Sequence, residues 1–426
     1  MKTLLTTLLA LFLFSAIFLN ATISHAETLI IKADRYLDVK QGKYISPAML
    51  VIKDNKIDAI NPKNKIKGRV IDLGKMTLLP GLMDAHTHLT LNIGPGWTTE
   101  AVRFTAGDFA LRGAYNARKT LLAGFTTVRE VGAYDFSDVA LSRAISKKWV
   151  IGPDVIPSGY ALGITGGHCD VTGFSPGVLE TNFRMGVADG VDEFVKAVRY
   201  QIKHGAKVIK ICATAGVLSF EDNVGAQQMS FEEMKAVADE AHRHHLKVAA
   251  HAHGTKGIIA ASNAGIDSIE HGSILTKKAL KVLKKNGTWF VPTLYLARSI
   301  DWNSVPPALK AKGEIVMPIA DKSFKDALAM HLKIALGTDA GVYPHGDNAK
   351  EIALHVELGQ SAINAIRSAT INTAKLFGVT DRGQIKKGML ADIIAVKGDP
   401  LKDITLLENI NFVMKNGEIY KHQVNQ

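Results

Sequence analysis

Short runs of β-branched residues alternate with helical patterns from Leu79 to about Gly378. Repeated strand–helix units are typical of a parallel sheet covered by helices. The strand-like runs end at "MDAHTH", "TTVREVG", "DVIPSGYALG", "AKVIKICATA", "KVAAHAHG", "DSIEHG", "TWFVPTLY" and "KIALGTDAG". Eight such ends predict an α/β fold, a (β/α)8 TIM barrel over residues 80–379. Between the fourth and fifth runs, Ser230 and Glu233 form an S-x-x-E capping box that predicts the start of a helix.

The segments on either side of this region have a different pattern. Residues 27–79 alternate apolar and polar side chains, and the same pattern returns after about Asp381. This period of two is typical of half-buried strands. Because neither segment has enough strands to be stable alone, we expect residues 27–79 and 380–426 to pair into one small β-sandwich.

The first 26 residues are typical of a signal peptide. Lys2 precedes an apolar stretch from Leu4 to Leu19, and Ser24-His25-Ala26 offers small residues where a signal peptidase cuts. We expect cleavage after Ala26, a periplasmic or secreted protein, and no stable membrane anchor after cleavage. An uncleaved anchor is the alternative, since the stretch approaches the length that spans a bilayer.

Charge and cysteine content limit the partners. The 51 Lys and Arg residues exceed the 40 Asp and Glu residues, but they are scattered singly, so we expect no nucleic-acid binding. Two cysteines, Cys169 and Cys212, exclude a disulfide framework, while a single bridge between them stays open. The expected partner is a small-molecule substrate, and a homo-oligomer is left open.

Histidines at the ends of the predicted strands indicate a metal site. His86 and His88 are two residues apart, so both point to the same side of their strand, toward the barrel interior. His251, His271 and Asp339 stand at other strand ends, where the loops of one barrel face begin. Imidazoles and a carboxylate that converge in this way are ligands that divalent metals prefer.

Lys210 lies inside a strand of Val, Ile and Cys residues, where an unpaired ammonium group is costly. A neutral amine there could take up carbon dioxide and become a carbamate, an anion able to bridge two metals. Alternatively, Lys210 extends to the barrel mouth or forms an ion pair with Asp339. The residues alone favour the exposed or ion-paired lysine over the carbamate.

Several motifs resemble one enzyme family. "PGLMDAHTHL", the "IKI" strand, "HAHG", "IEHG", "GTDAG" and "GQIKKGMLADIIAVKGDP" are similar, in this order, to the metal-dependent amidohydrolase superfamily. "TGGHCD", "QQMSFEEMKAVADEAHRHHLKVAAHAHG" and "VPTLY" resemble its imidazolonepropionase-related group. That group holds Xaa-Pro dipeptidases and carboxypeptidases that release C-terminal Arg or Lys.

The resemblance implies a set of site residues. Lys210 would be the carboxylated lysine that bridges two divalent metals, with carbon dioxide as the source of the carbamate. His86, His88 and Asp339 would bind one metal, and His251 and His271 the other. Zinc is the expected metal, with manganese and iron left open. Asp339 would also take a proton from the attacking water and pass it to the leaving amine.

Six further residues are predicted to contact the substrate. His253 faces the same side as His251, and His168 lies in a Gly-rich loop that can reach over the metals. Related prolidases carry an arginine near the position of Tyr160, so its absence removes one grip on a substrate carboxylate. The acids Asp170, Glu221 and Asp222 favour release of Arg or Lys over Pro.

The predicted activity is therefore hydrolysis of a C–N bond, by a dipeptidase or carboxypeptidase. A hydrolase of a cyclic amide, a lactone or an N-acyl amino acid would use the same ligands. A non-catalytic periplasmic binding protein is a remote alternative, because every ligand that the resemblance implies is present.

Overall fold

A computed structural model describes residues 28–219, 223–303 and 305–423. The predicted signal peptide and the predicted substrate-binding acids Glu221 and Asp222 lie outside these residues. The described strands are β1 (Leu29–Ala33), β2 (Arg35–Asp38), β3 (Lys43–Ile45), β4 (Ala48–Lys53), β5 (Lys56–Ile60), β6 (Arg69–Asp72), β7 (Met76–Pro80), β8 (Leu82–Thr87), β9 (Phe125–Glu130), β10 (Asp154–Ile156), β11 (Val208–Cys212), β12 (Lys247–Ala252), β13 (Ser268–His271), β14 (Trp289–Val291), β15 (Ile393–Lys397), β16 (Phe412–Lys415) and β17 (Glu418–His422).

The helices connect and cover these strands. Short 3-10 segments occur at Trp97–Thr99, Phe183–Met185 and Ile404–Glu408, and a π-helical turn at Ser368–Asn372. The α-helices are α1 (Glu100–Arg103), α2 (Ala106–Leu122), α3 (Ser137–Ser146), α4 (Val191–His204), α5 (Phe231–Arg243), α6 (Thr255–Asn263), α7 (Lys277–Asn286), α8 (Leu296–Ser299), α9 (Pro307–Ala329), α10 (Ala349–Glu357), α11 (Ala362–Arg367) and α12 (Thr373–Phe377). Among the described residues, no helix combines the length and the apolar character that a membrane span requires.

The N- and C-terminal segments of the described chain pair with each other. One sheet has the order β5-β4-β1-β6, and a second has the order β17-β16-β15-β7-β2-β3. Antiparallel pairing of β15 with β7 places Ile394 opposite Leu79 and joins the two ends of the chain. Apolar side chains of both sheets, among them Leu50 and Phe412, form one hydrophobic cluster. Burial of this cluster holds β7 in place, and β8 continues directly from it.

Parallel strands form the central part of the molecule. They lie in two sheets with the orders β10-β9-β8 and β11-β12-β13-β14. Both faces of these strands are covered, since β8, β9, β11 and β13 consist entirely of buried residues. Such strands are typical of parallel sheets with helices packed outside.

Two of the eight predicted strand ends differ from the expectation. β10 has three residues. Leu162, near the other end of the same predicted run "DVIPSGYALG", makes an isolated parallel bridge to Ile211. "KIALGTDAG" forms isolated bridges, Ile334 with Phe290 and Ala340 with Thr87, instead of a continuous strand. Within this segment the backbone N–H of Leu336 donates to the carbonyl of Ser368, which is not in a neighbouring strand.

Helix α5 begins where the sequence predicts. Ser230 is its N-cap, and its side chain and that of Glu233 each accept a hydrogen bond from the other residue's backbone N–H, at 3.2 and 2.7 Å. The apolar face with Met234, Val237 and Ala241 is buried. The predicted capping box is therefore confirmed, and so is the apolar face through which this helix packs.

Candidate active site

His86, His88 and Asp339 form one group of candidate ligands. Both histidines come from the end of β8, and their Nε2 atoms each lie 3.4 Å from Oδ1 of Asp339. Asp339 has a left-handed backbone with φ of 60° and lies directly before the bridge-forming residue Ala340. The structure thus brings together the three residues that the sequence predicts for one metal.

His251, His253 and His271 form a second group. The ring centroids of His251 and His271 are 4.6 Å apart, and those of His253 and His271 are 5.0 Å apart. One ligand atom from each ring lies within 4.8 Å of the others. His253, which the sequence analysis assigns to the substrate, therefore stands beside the two predicted ligands. The centroid of His86 is 4.9 Å from that of His271, so the two groups are adjacent.

The protonation states of these histidines allow them to bind a metal cation. Burial lowers the pKa of His88 to about 3 and holds the pKa values of His86, His251 and His271 well below their usual range. The imidazoles are consequently neutral at neutral pH, as metal ligands must be. Nε2 of His251 and Oδ1 of Asp339 are buried without a hydrogen-bond partner among the described residues. Buried acceptors without hydrogen-bond partners fit the ligands of divalent ions.

Three of these imidazoles are held by uncharged groups through their Nδ1 atoms. Nδ1 of His88 lies 3.2 Å from the carbonyl of Gly132, and Nδ1 of His271 lies 2.7 Å from Oγ1 of Thr293. Nδ1 of His253 lies 2.8 Å from Oγ of Ser273. Such partners fix ring orientation in metal sites and leave Nε2 for the metal.

His86 has a charged partner that the sequence analysis missed. Its Nδ1 donates to Oε2 of Glu270 at 2.9 Å, and Oε1 of Glu270 accepts from Nη2 of Arg129 at 2.8 Å. Glu270 and Arg129 are 0% and 1% exposed. The sequence signal for this pair is a charged residue inside each of two apolar strands, Arg129 in "TTVREVG" and Glu270 in "DSIEHG".

Asp84 joins β8 to the bridge-forming segment that carries Asp339. Its carboxylate accepts hydrogen bonds from the hydroxyl of Thr338 at 2.6 Å and from the side-chain amide of Asn348 at 2.9 Å. It also accepts one from the backbone N–H of His86. Burial raises the pKa of Asp84 to about 7. This network fixes the distance between β8 and Asp339.

Lys210 lies on β11 and lines the same pocket as both groups of ligands. Its side chain is buried, and the register places Cys212, two residues later, opposite His251 of β12. Burial lowers the pKa of Lys210 to about 8, although the negative charges of Glu270 and Asp339 oppose the shift. An amine at this position can lose its proton near neutral pH.

The pocket above these residues has a volume of about 280 Å³. His168, Tyr160 and Asp170, three of the residues predicted to bind the substrate, line this pocket. The hydroxyl of Tyr160 donates to Asp135 at 2.7 Å. The carboxylate of Asp170 accepts from the backbone of Gly166 and from other groups of its own loop. Asp170 thus organises the loop as well as facing the pocket.

Cys169 and Cys212 form a disulfide with a Cα–Cα distance of 5.8 Å. Both residues line the pocket. The sequence left this bridge open, because the two positions are 43 residues apart and only the fold brings them together.

Residues 77–424 match the sequence profile of the amidohydrolase family. The chain belongs to the amidohydrolase family. Ochratoxinase of Aspergillus niger is 32% identical over 413 residues, which cover 89% of this chain and 84% of that protein. The resemblance found in the motifs is confirmed.

Solved structures of similar chains support this family assignment. A Xaa-Pro dipeptidase with methionine bound in its active site has a TM-score of 0.87 and 37% identity, over 92% of this chain and 100% of that chain. A prolidase in complex with N-methylphosphonate-L-proline has a TM-score of 0.84 and 29% identity, over 93% of this chain and 100% of that chain. These neighbours imply a TIM barrel with α/β content. The protein is a hydrolase that acts on carbon–nitrogen bonds of small molecules, in a metal-dependent family.

Proposed function

We propose that this amidohydrolase is an exported binuclear metallo-dipeptidase that releases the C-terminal residue of its substrate. The observation that carries the proposal is the meeting of two groups of candidate ligands with Lys210 in one pocket. A single metal would leave one of these buried groups without a cation. The solved dipeptidase and prolidase structures support an amide between two amino acids as the substrate.

The metals would be held by the residues that the motifs imply. His86, His88 and Asp339 would bind one ion, His251 and His271 the other, and Lys210 as its carbamate would bridge them. His253 stands close enough to the second group to act as a further ligand or to bind the substrate. Divalent cations held there, for which we propose zinc, would supply Lewis-acid polarisation of the scissile carbonyl and a more acidic water.

Asp339 is our choice for the proton-transfer residue. Oδ1 of Asp339 lies 3.4 Å from Nε2 of both His86 and His88, so its carboxylate would stand beside the attacking water and could accept a proton there. It would take the proton of the attacking water and give it to the nitrogen of the leaving residue. The C–N bond then breaks with a neutral amine as the leaving group.

The predicted preference for Arg or Lys over Pro rests on the acids of two loops. The carboxylate of Asp170 lines the pocket and also accepts hydrogen bonds within its own loop, and we propose that Glu221 and Asp222 add to the negative charge offered to a basic leaving residue. His168 and Tyr160 would contact the substrate from the same side of the pocket.

Export and domain organisation complete the proposal. The Cys169–Cys212 disulfide supports a periplasmic or secreted location, because disulfides persist in oxidising compartments. We also propose that the parallel strands close into a (β/α)8 barrel and that the two terminal sheets form a β-sandwich beside it. The shared hydrophobic cluster of the terminal sheets supports the second point.

A second candidate is hydrolysis of an N-acyl amino acid, with a cyclic amide or a lactone as less favoured substrates. The apolar side chains that line much of the pocket, such as Leu296, Ile300 and Trp302, favour this alternative because they could hold an apolar acyl group. Ochratoxinase is a relative of comparable coverage that is not named as a peptidase.

A dipeptide panel with amino-acid release as the readout tests the proposal. We expect turnover of Ala-Arg above that of Ala-Leu and Ala-Pro, two metals per chain, and loss of turnover after chelation. If N-acetyl-arginine is cleaved and dipeptides are not, the second candidate replaces the first. One metal per fully active chain contradicts the binuclear site.

A further inference from the structure

The pocket has two unlike walls. One wall is apolar and comes from α8 and α9 and from the loops after β8 and after the bridge at Ala340. Its residues include Trp97, Leu296, Ile300, Trp302, Val316 and Val342. The other wall carries Tyr160, His168 and Asp170, which follow β10. The bridges Phe290–Ile334 and Thr87–Ala340 make β14, the bridge-forming segment and β8 successive neighbours beneath the apolar wall.

The apolar wall is a packed unit. Ile300, Val305, Leu309 and Val342 form a buried cluster against which Trp302 and its neighbours pack. The indole of Trp302 lies against Gly313 of α9, where a Cβ would be 2.2 Å from ring atom Cη2. Gly313 therefore makes room for the indole, and the indole stays partly exposed to the pocket.

Building on the proposed dipeptidase function, we propose that this wall is a subsite for a large apolar side chain on the acyl side of the scissile amide. Asp170, the described member of the acids predicted to hold a basic leaving residue, lies in the loop after β10, which leaves the apolar wall for the other residue. Preferred substrates would join an apolar N-terminal residue to Arg or Lys.

Four dipeptides that differ in the first residue test the subsite: Ala-Arg, Leu-Arg, Phe-Arg and Glu-Arg. We expect kcat/KM for Leu-Arg to exceed that for Ala-Arg by about tenfold or more, since removal of methylenes from an apolar pocket has effects of this size. Trp302→Ala and Gly313→Ala should both lower the Leu-Arg to Ala-Arg ratio. Ile315→Ala, on the exposed face of the same helix at 67% exposure, is the matched control and should keep the ratio.

Equal kcat/KM for all four dipeptides overturns the subsite and leaves the dipeptidase function in place. If no dipeptide is cleaved, the dipeptidase function fails, and calorimetric binding to the metal-loaded protein still tests the subsite. N-acetyl-leucine should then bind more tightly than N-acetyl-alanine, and Trp302→Ala should remove the difference. Equal or undetectable binding of both compounds overturns the subsite.

A second inference rests on the disulfide. Cys169 directly follows His168, and Cys212 lies two residues after Lys210 on β11. The bridge thus ties the loop with His168 to the strand with Lys210. The ring of His168 stacks on His251 with a centroid distance of 4.0 Å.

His168 is held from further directions. Its Nδ1 lies 2.7 Å from Oγ of Ser219, and its backbone N–H donates to Oε1 of Gln228 at 3.0 Å. A Cβ at Gly216 would lie 2.2 Å from the imidazole, so the ring also packs closely on that backbone. With Nδ1 engaged, Nε2 is the nitrogen left for a substrate.

We infer that the Cys169–Cys212 disulfide is a positioning element for His168, and that its reduction lowers turnover without unfolding the protein or releasing metal. A phosphine reductant with water converts the bridge into two thiols and becomes a phosphine oxide. The same inference predicts low activity before the bridge forms and full activity after oxidation.

Reduction of the metal-loaded wild type and a Cys169→Ala/Cys212→Ala variant test this inference. We expect kcat/KM to fall by about tenfold or more, as for a misplaced catalytic group, while metal content and circular dichroism stay unchanged. In a His168→Ala background, loss of the bridge should cause no further fall. An equal fall in both backgrounds, or an unchanged rate on reduction, overturns the inference. If the cysteine variant does not fold, phosphine-treated wild type and His168→Ala provide the same comparison.

Discussion

Glu270 accepts hydrogen bonds from the imidazole of His86 and the guanidinium of Arg129. Replacing Glu270 with leucine therefore has a predictable cost in stability. Glu270→Leu leaves the guanidinium of Arg129, which is 1% exposed, without its carboxylate, and leaves Nδ1 of His86 without an acceptor. Removing one partner of a buried ion pair costs about 3–5 kcal/mol. We expect the free energy of unfolding of the metal-free protein to fall by that amount, as measured by urea denaturation.

Metal binding should weaken separately from stability. Loss of a partner that orients a ligand histidine lowers metal affinity by about 10- to 100-fold. The measurement is zinc titration against a competing chelator. In an Arg129→Met/Glu270→Leu double variant both charges are gone, so stability should return to within about 2 kcal/mol of the wild type. Zinc affinity should stay low in the double variant, because His86 still lacks its acceptor.

A surface pair provides the control for this experiment. Lys235 and Asp239 form an i,i+4 pair on α5 with side chains about half exposed, and Asp239→Asn should change stability by less than about 1 kcal/mol. The reasoning is refuted if Glu270→Leu costs as little as Asp239→Asn. It is also refuted if the double variant binds zinc as tightly as the wild type.

Three further predictions concern the same site. Lys210→Ala should abolish activity, and a short carboxylic acid added to the assay should restore part of it by replacing the oxygens of the carbamate; full activity with two metals in Lys210→Ala would rule the carbamate out. Asp339→Asn should fold and retain some metal but lose several orders of magnitude in kcat, because an amide cannot accept the proton; a loss below about tenfold would require another base. Burial lowers the pKa of His345 to about 4, below the pKa of about 6.5 that the imidazole has in the unfolded chain. The stability that neutral His345 contributes to the metal-free protein is therefore present above a pH of about 6.5 and is lost as pH falls toward 4. His345→Gln should therefore lose less stability than the wild type between pH 7 and pH 4.5 in urea denaturation, and an equal loss would assign the acid sensitivity to other groups.

The sequence determined the features that depend on local pattern. Period-two alternation located the terminal strands, and the capping box at Ser230 located the start of α5, because both signals lie within a few neighbouring residues. His86 and His88 could be assigned to one face from their spacing alone. Motif order then identified the family.

Only the tertiary structure decided which distant groups meet. Glu270 and His86 lie 184 residues apart, and their contact depends on the relative placement of β13 and β8. The approach of His253 to His271 and the Cys169–Cys212 bridge likewise follow from loop positions that no local period encodes. "KIALGTDAG" has the apolar pattern of a strand, yet the backbone of Leu336 bonds to Ser368. The local preference for helix or strand is set by a residue and its sequence neighbours. Strand register and buried partners are set by the packing of the whole chain, and this packing determines the geometry of the site.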